Sequence, residues 1–174
     1  MGTRSCIIVK VRQSDKGKTV KFDKRLIARE LLEWIDRDRE GKVWCDERGK
    51  ERSQPVTLTG DYIGIYCHWD GYVQGGVGEQ LKEDYNEYVR ALNLVVGGFC
   101  SSIGDEGLKH YANRGNKNTP YVNEKWADIK PLQGDTQKSV FERVDCEYIY
   151  LFDEERGGWL YKHYPLNKNG FKPY

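Results

Sequence analysis

Charged residues make up 32% of this 174-residue chain, yet Lys and Arg so nearly balance Asp and Glu that the net charge is +1. That balance argues against a dedicated DNA-binding protein, which carries a basic surplus on one face. Mean hydropathy is −0.79, and no apolar run approaches the ~20 residues a membrane-spanning helix needs.

The length suits one domain with a real core, and residues 1–174 are read as a single unit. With 12 Tyr, 19 Gly and a single Met, that core must draw on aromatics and a few aliphatic strands. Residues 1–52 carry a basic surplus and the remainder an acidic one. The first third thus either favours an anionic partner or simply solvates helix and turn surfaces. Five cysteines (Cys6, Cys45, Cys67, Cys100 and Cys146) lie far apart with no CxxC pair. Disulfide frameworks and zinc sites need closer spacing, so reduced thiols, no metal and a cytoplasmic setting are expected. No signal peptide is read at the start.

In chain order, Ser5–Arg12 alternates as a half-buried strand, with Thr19–Phe22 as its expected hairpin partner. Asp23 can cap a helix to about Glu40, with Leu26, Ile27, Leu31, Trp34 and Ile35 on one face and Gly41 at its end. Two short strands, VWCD and PVTL, are expected within 43–58. Tyr62–Asp70 is the clearest strand: Ile63, Ile65, Cys67 and Trp69 point one way, and Tyr62, Gly64, Tyr66, His68 and Asp70 the other. The first set is expected in the core, leaving the second as an open row of hydrogen-bonding groups. A glycine-rich passage, Gly71 to Gly78, opens a helix to about Val96, with Leu81, Tyr85, Tyr88, Val89, Leu92, Val95 and Val96 as its buried stripe. Residues 99–139 read as irregular, and Cys146–Phe152 with Trp159–Tyr164 as a closing hairpin. This order predicts an α+β fold: a mainly antiparallel sheet with two helices covering one face.

The start Met-Gly-Thr-Arg-Ser-x-Ile, the centre Tyr66-Cys-His-Trp-Asp-Gly-Tyr72 and Ser101-Ser102-Ile103-Gly104 together resemble a family of small uncharacterised bacteriophage and prophage proteins. Its members begin Met-Ser-Thr-Arg and carry a His-Trp-Asp-Gly-Tyr core followed by Gly-x-Gly and a helix. The resemblance covers about half of the chain. It departs where Val73 replaces the usual Pro, and where residues 24–59 look like an insertion. It implies a phage or mobile-element setting and brings no activity with it.

The working site is expected between Tyr66 and Gly78. His68 and Asp70 share a strand face, and a carboxylate beside an imidazole suits an anion-binding cation or a general base. The other reading has Asp70 capping the turn and His68 bonding a neighbouring strand. Gly71, Gly75, Gly76 and Gly78 offer free amides and close backbone approach to an anion, or else a tight turn. The passage lacks the Lys of a phosphate-binding P-loop and the third Gly of a dinucleotide fingerprint. Tyr62, Tyr66 and Tyr72 suit stacking on a ring, or ordinary sheet packing. Arg4 can fork onto a phosphate. His110 and His163 show no ligand spacing, and Ser101–Ser102 has no assignable base. The expectation is a binding protein, without cofactor, for a small anionic, nucleotide-like ligand, a host defence signal in a phage setting. A hydrolase or phosphodiesterase with His68 as base is the alternative, as is an inhibitor that contacts a host protein through 99–139. Homo-oligomerisation stays open.

Overall fold

The computed structural model describes residues 3–27, 53–103, 108–113, 125–164 and 171–173. Ten strands are seen among them: β1 (Ser5–Lys10), β2 (Thr19–Val20), β3 (Val56–Thr57), β4 (Tyr62–Cys67), β5 (Cys100–Ser102), β6 (Lys109–His110), β7 (Leu132–Gly134), β8 (Tyr148–Asp153), β9 (Gly158–His163) and β10 (Lys172–Pro173). Four helices join them: α1 (Val77–Asp84), α2 (Tyr88–Val96), α3 (Trp126–Ile129) and α4 (Gln137–Phe141).

The fold is α+β. Eight strands form one sheet in the order β10-β9-β8-β1-β4-β5-β6, with β7 also on β4, while β2 and β3 make a separate pair. Two corrections to the expected sheet follow. It is mixed rather than mainly antiparallel, because β1 runs parallel to β8 and β4 parallel to β5. Thr19–Val20 pairs with Val56–Thr57 and not with β1, whose neighbours are β4 and β8. Such pairings join segments far apart in sequence, which local periodicity does not report.

The helices cover both faces, not one. On one side Ile7, Val9, Ile63, Ile65, Cys67, Tyr150 and Phe152 pack with Val77 and Leu81 of α1 and with Leu94 and Val95 of α2. On the other, Cys6, Ile8, Ile149, Leu151 and Leu160 pack with Val140 and Phe141 of α4. That second side was expected to be the open row beside β4. Instead α4 lies on it, and Gly64 is the reason it can: a Cβ there would come within 2.8 Å of Val140 Cγ1 and 2.9 Å of the Ile7 carbonyl. Thr136 begins α4 with a reciprocal capping box, accepting from the Ser139 amide while Ser139 Oγ accepts from the Thr136 amide. The described parts of 99–139, expected to be irregular, hold β5, β6, α3, β7 and part of α4.

The single helix expected up to Val96 is two, broken between Asp84 and Tyr88. Tyr85 is buried at the break, while Val89, expected in the buried stripe, is 50% exposed. The terminal hairpin is as predicted, β8 against β9, turning through Gly157 at φ 93°. Asp23 caps only a 3-10 turn over Lys24–Leu26, its side chain accepting from the Arg25 amide. The remainder of that expected helix and the VWCD strand lie outside the described residues. No helix among the described residues is long and apolar enough to cross a membrane.

Candidate functional site

Strand β4 ends at Cys67, which is paired with Ser5 on one side and Cys100 on the other. The next two amides still follow β5: His68 donates to the Cys100 carbonyl (3.1 Å) and Trp69 to that of Ser101 (2.9 Å). Asp70 then turns the chain at φ 57°, the only non-glycine residue with positive φ among those described. Asp is among the few residues with a Cβ that visit that left-handed conformation, because its short polar side chain can hydrogen-bond locally.

The glycine passage is closed by the protein's own groups. Val77 N–H donates to the Asp70 carbonyl (2.7 Å), Gly78 N–H to that of Tyr72 (3.0 Å), and Gly71 N–H to that of Thr3 (2.8 Å). Gly75 N–H donates to the Glu79 carboxylate (3.2 Å), and the Gly71 carbonyl accepts from Tyr150 OH (2.6 Å). The expected cradle of free amides is therefore already occupied at Gly71, Gly75, Val77 and Gly78. Gly76 is glycine for the same reason, since a Cβ there would sit 2.2 Å from the Asp70 carbonyl oxygen. Gly71, Gly76 and Gly78 are buried and only Gly75 is exposed.

Side chains are arranged differently from the expected His68–Asp70 dyad. His68 Nδ1 is hydrogen-bonded to Tyr66 OH at 2.6 Å, and no bond joins His68 to Asp70 among the described residues. A phenol held against the ring orients it as a carboxylate would, without supplying a negative charge. The Tyr66 hydroxyl is shifted up, chiefly by burial, against the opposing pull of Arg4. Trp69 meets the His68 ring edge-on at 4.6 Å, and Phe99 lies 6.0 Å from Tyr66. Arg4 pairs with Asp145, their side chains 42% and 84% exposed.

Trp69 does not share the core face with Ile63, Ile65 and Cys67. It is 46% exposed and Tyr72 is 41% exposed, because the strand stops at Cys67 and alternation stops with it. Arg4, Tyr66, His68, Trp69 and Tyr72 thus gather where β1 begins and β4 ends. Tyr62 lies four residues back along β4, about 13 Å away at the usual strand rise, opposite Lys10 and Gly134. It is not part of this cluster. Asp145, Phe99 and the exposure of Trp69 were not anticipated from sequence, because each follows from where strands meet rather than from local pattern.

Beneath the turn is a set of buried titratable groups. Cys67 donates weakly to the Trp69 carbonyl (3.8 Å), and burial pushes its thiol up to about 12. Burial raises the Cys100 and Tyr85 groups as well. Neutral thiols of this kind are poor nucleophiles. His110 is buried with Nε2 at 2.8 Å from the Leu94 carbonyl, and burial lowers its pKa to about 4. His163 stacks on Tyr148 at 4.6 Å. Among the described residues no group of three His, Cys, Asp or Glu is placed to hold a metal ion.

Comparison of the chain with protein-family models, curated proteins and solved structures finds no match.

Proposed function

We propose that the chain is a capture protein for a small ligand with a flat ring and an anionic group, of nucleotide type. The observation that carries this reading is the exposure of Trp69 and Tyr72 on a turn whose backbone is tied at both ends. Large rings held out of a core cost solvation, and a rigid mount keeps them ready to stack on another ring. His68, edge-on to Trp69 and bonded to Tyr66, extends that platform toward Arg4. Arg4 is the group suited to the anion. The amides of Gly71, Gly75 and Gly78 play no direct part, since the protein already uses them.

If the chain acts in a phage setting, as its resemblance to phage proteins implies, such capture would sequester a nucleotide signal used in host defence. Calorimetric titration with nucleoside phosphates tests the reading. Trp69→Ala should weaken binding about tenfold, the scale of one lost ring stack, while leaving the melting midpoint near that of the natural chain. Binding to the natural chain should fall with added salt, and Arg4→Ala should remove most of that dependence. Normal binding by Trp69→Ala would end this proposal. Release of hydrolysed product during the titration would replace it with the hydrolase reading, with Tyr66 in the orienting place expected of Asp70.

A further inference from the structure

We propose that Tyr66 is a positioning residue: it donates to His68 Nδ1 and so fixes the imidazole as an Nε2–H donor, which reads an acceptor atom on the edge of the ligand's ring. The proposal rests on the capture reading above and adds what His68 contributes to it.

Tyr66 OH and His68 Nδ1 are 2.6 Å apart. A separation that short is ordinary where a hydroxyl donates, whereas N–H donors cluster at about 2.9–3.0 Å from oxygen. Burial shifts the Tyr66 hydroxyl up and so keeps it protonated. Among the described residues that hydroxyl is joined to His68 alone. Were Nδ1–H the donor instead, the phenolic hydrogen would have no acceptor among them. A neutral imidazole carries one ring proton, so an Nδ1 that accepts places it on Nε2.

The two ring nitrogens lie on different edges of the imidazole, and Nε2 is turned away from Tyr66 with no partner among the described residues. The mount is firm. Tyr66 is paired with Cys6 in the sheet, and the His68 amide donates to the Cys100 carbonyl. The His68 ring lies 4.6 Å from that of Trp69, so the donor belongs to the same small surface as the exposed indole. The edges of nucleobases carry carbonyl oxygens and bare ring nitrogens, the acceptors such a donor takes.

A carboxylate in place of the phenol would do the opposite. Accepting from Nδ1–H, it leaves Nε2 bare, the arrangement of a general base. The phenol makes His68 a group that binds rather than one that takes a proton.

The test begins without ligand. Long-range proton–nitrogen correlation spectra of the 15N-labelled protein, recorded above the range in which imidazole titrates, report which ring nitrogen carries the proton. The spectrum of His68→Gln identifies the His68 signals. The natural chain should show Nε2 protonated and Nδ1 bare, and Tyr66→Phe should turn that single form into a mixture of tautomers. Calorimetric titration with the ribonucleoside 5′-monophosphates of adenine, guanine, cytosine and uracil then reads the donor. His68→Gln, whose amide offers N–H from nearly the same place, should bind much as the natural chain does. His68→Leu should bind about two- to tenfold more weakly, the scale of one hydrogen bond, and Tyr66→Phe should fall between. If Tyr66→Phe melts lower than the natural chain, the spectrum of the natural chain and the two His68 variants decide. Nδ1–H as the main form in the natural chain would overturn the proposal while leaving capture standing, as would equal losses in His68→Gln and His68→Leu. Failure of all these nucleotides to bind the natural chain would overturn the capture reading and the donor role with it.

Discussion

The two ends of β4 are built on opposite plans. At the Tyr62 end the charges are matched: Arg12 with Glu154, Lys16 with Asp61, Lys18 with Asp15, and Lys10 with Glu155. Arg12 also lies 4.1 Å over the Tyr88 ring, and Tyr88 OH donates to Asp15 (2.8 Å). At the Cys67 end the backbone is just as thoroughly bonded, but two large rings are left outside. One end pairs its charges internally, and the other, though Arg4 meets Asp145 and Tyr66 meets His68, leaves the Trp69 and Tyr72 rings facing solvent. A surface whose mount is complete and whose side chains are not is the one equipped to meet another molecule.

The sharpest way to break this contrast is to truncate one apolar side chain on each side of the last strand residue. Ile65 is fully buried, so Ile65→Ala should cost about 2–5 kcal/mol. Trp69→Ala, despite removing far more atoms, should cost about 1 kcal/mol or less. Equal losses in chemical denaturation would mean that Trp69 belongs to the core and the contrast is false.

Acid should separate the two ends next. His110 pairs with Cys100 and so sits in the same row as Cys67. Its folded pKa is lowered to about 4 against 6.5 when unfolded, so the unfolded chain takes up the proton first. Its contribution is complete above about pH 6.5 and is lost as pH falls toward 4, by about 3 kcal/mol at most. At the other end Asp15 is lowered chiefly by the hydrogen bond from Tyr88, Asp61 by that from Lys16 and Glu154 by that from Arg12. These are stabilising above the usual carboxylate range and fail only as pH drops below it. Melting curves should therefore show a first loss between pH 6.5 and 4 that His110→Gln removes, and a second below it that His110→Gln leaves in place.

Smaller effects refine the comparison. Gly64→Ala should cost about 1–3 kcal/mol by pushing Val140 and α4 off the sheet, a loss measurable by denaturation with ligand affinity little altered. Arg12→Ala should cost about 1 kcal/mol or less, since exposed ion pairs contribute little. A larger loss would show that the charged end is a structural clasp rather than a solvated rim.

Much of this was legible in the chain. Period-two alternation gives β1, the buried half of β4 and the β8–β9 hairpin, because each keeps one face against the core for several residues. The glycine passage announces a tight turn before a helix, and the turn is there. Illegible were facts set by distant partners. Nothing local says that Ser5 meets both Cys67 and Tyr148, or that α4 covers Gly64. His68 and Asp70 share a face only while the strand lasts, and it ends at Cys67, so Tyr66 takes the contact that spacing assigned to Asp70. The capping box at Thr136 was present as a local signal, but a helix of five residues is too short for periodicity to announce.

Strand β4 has two partners along one edge: Leu132–Gly134 beside its start and Cys100 beside its last residue. The chain between those partners departs from this edge and returns to it within about 10 Å, the rise of three strand residues. It is a detour anchored at both feet on the same strand. Lengthening a closed excursion of this kind costs little, because loop entropy grows only with the logarithm of its length. Between Ser102 and Leu132 the buried Ile103, Leu108, His110, Ala112 and Ile129 must keep their places, so added length is tolerated only where it leaves them, and the register of β1, β4 and β8, undisturbed.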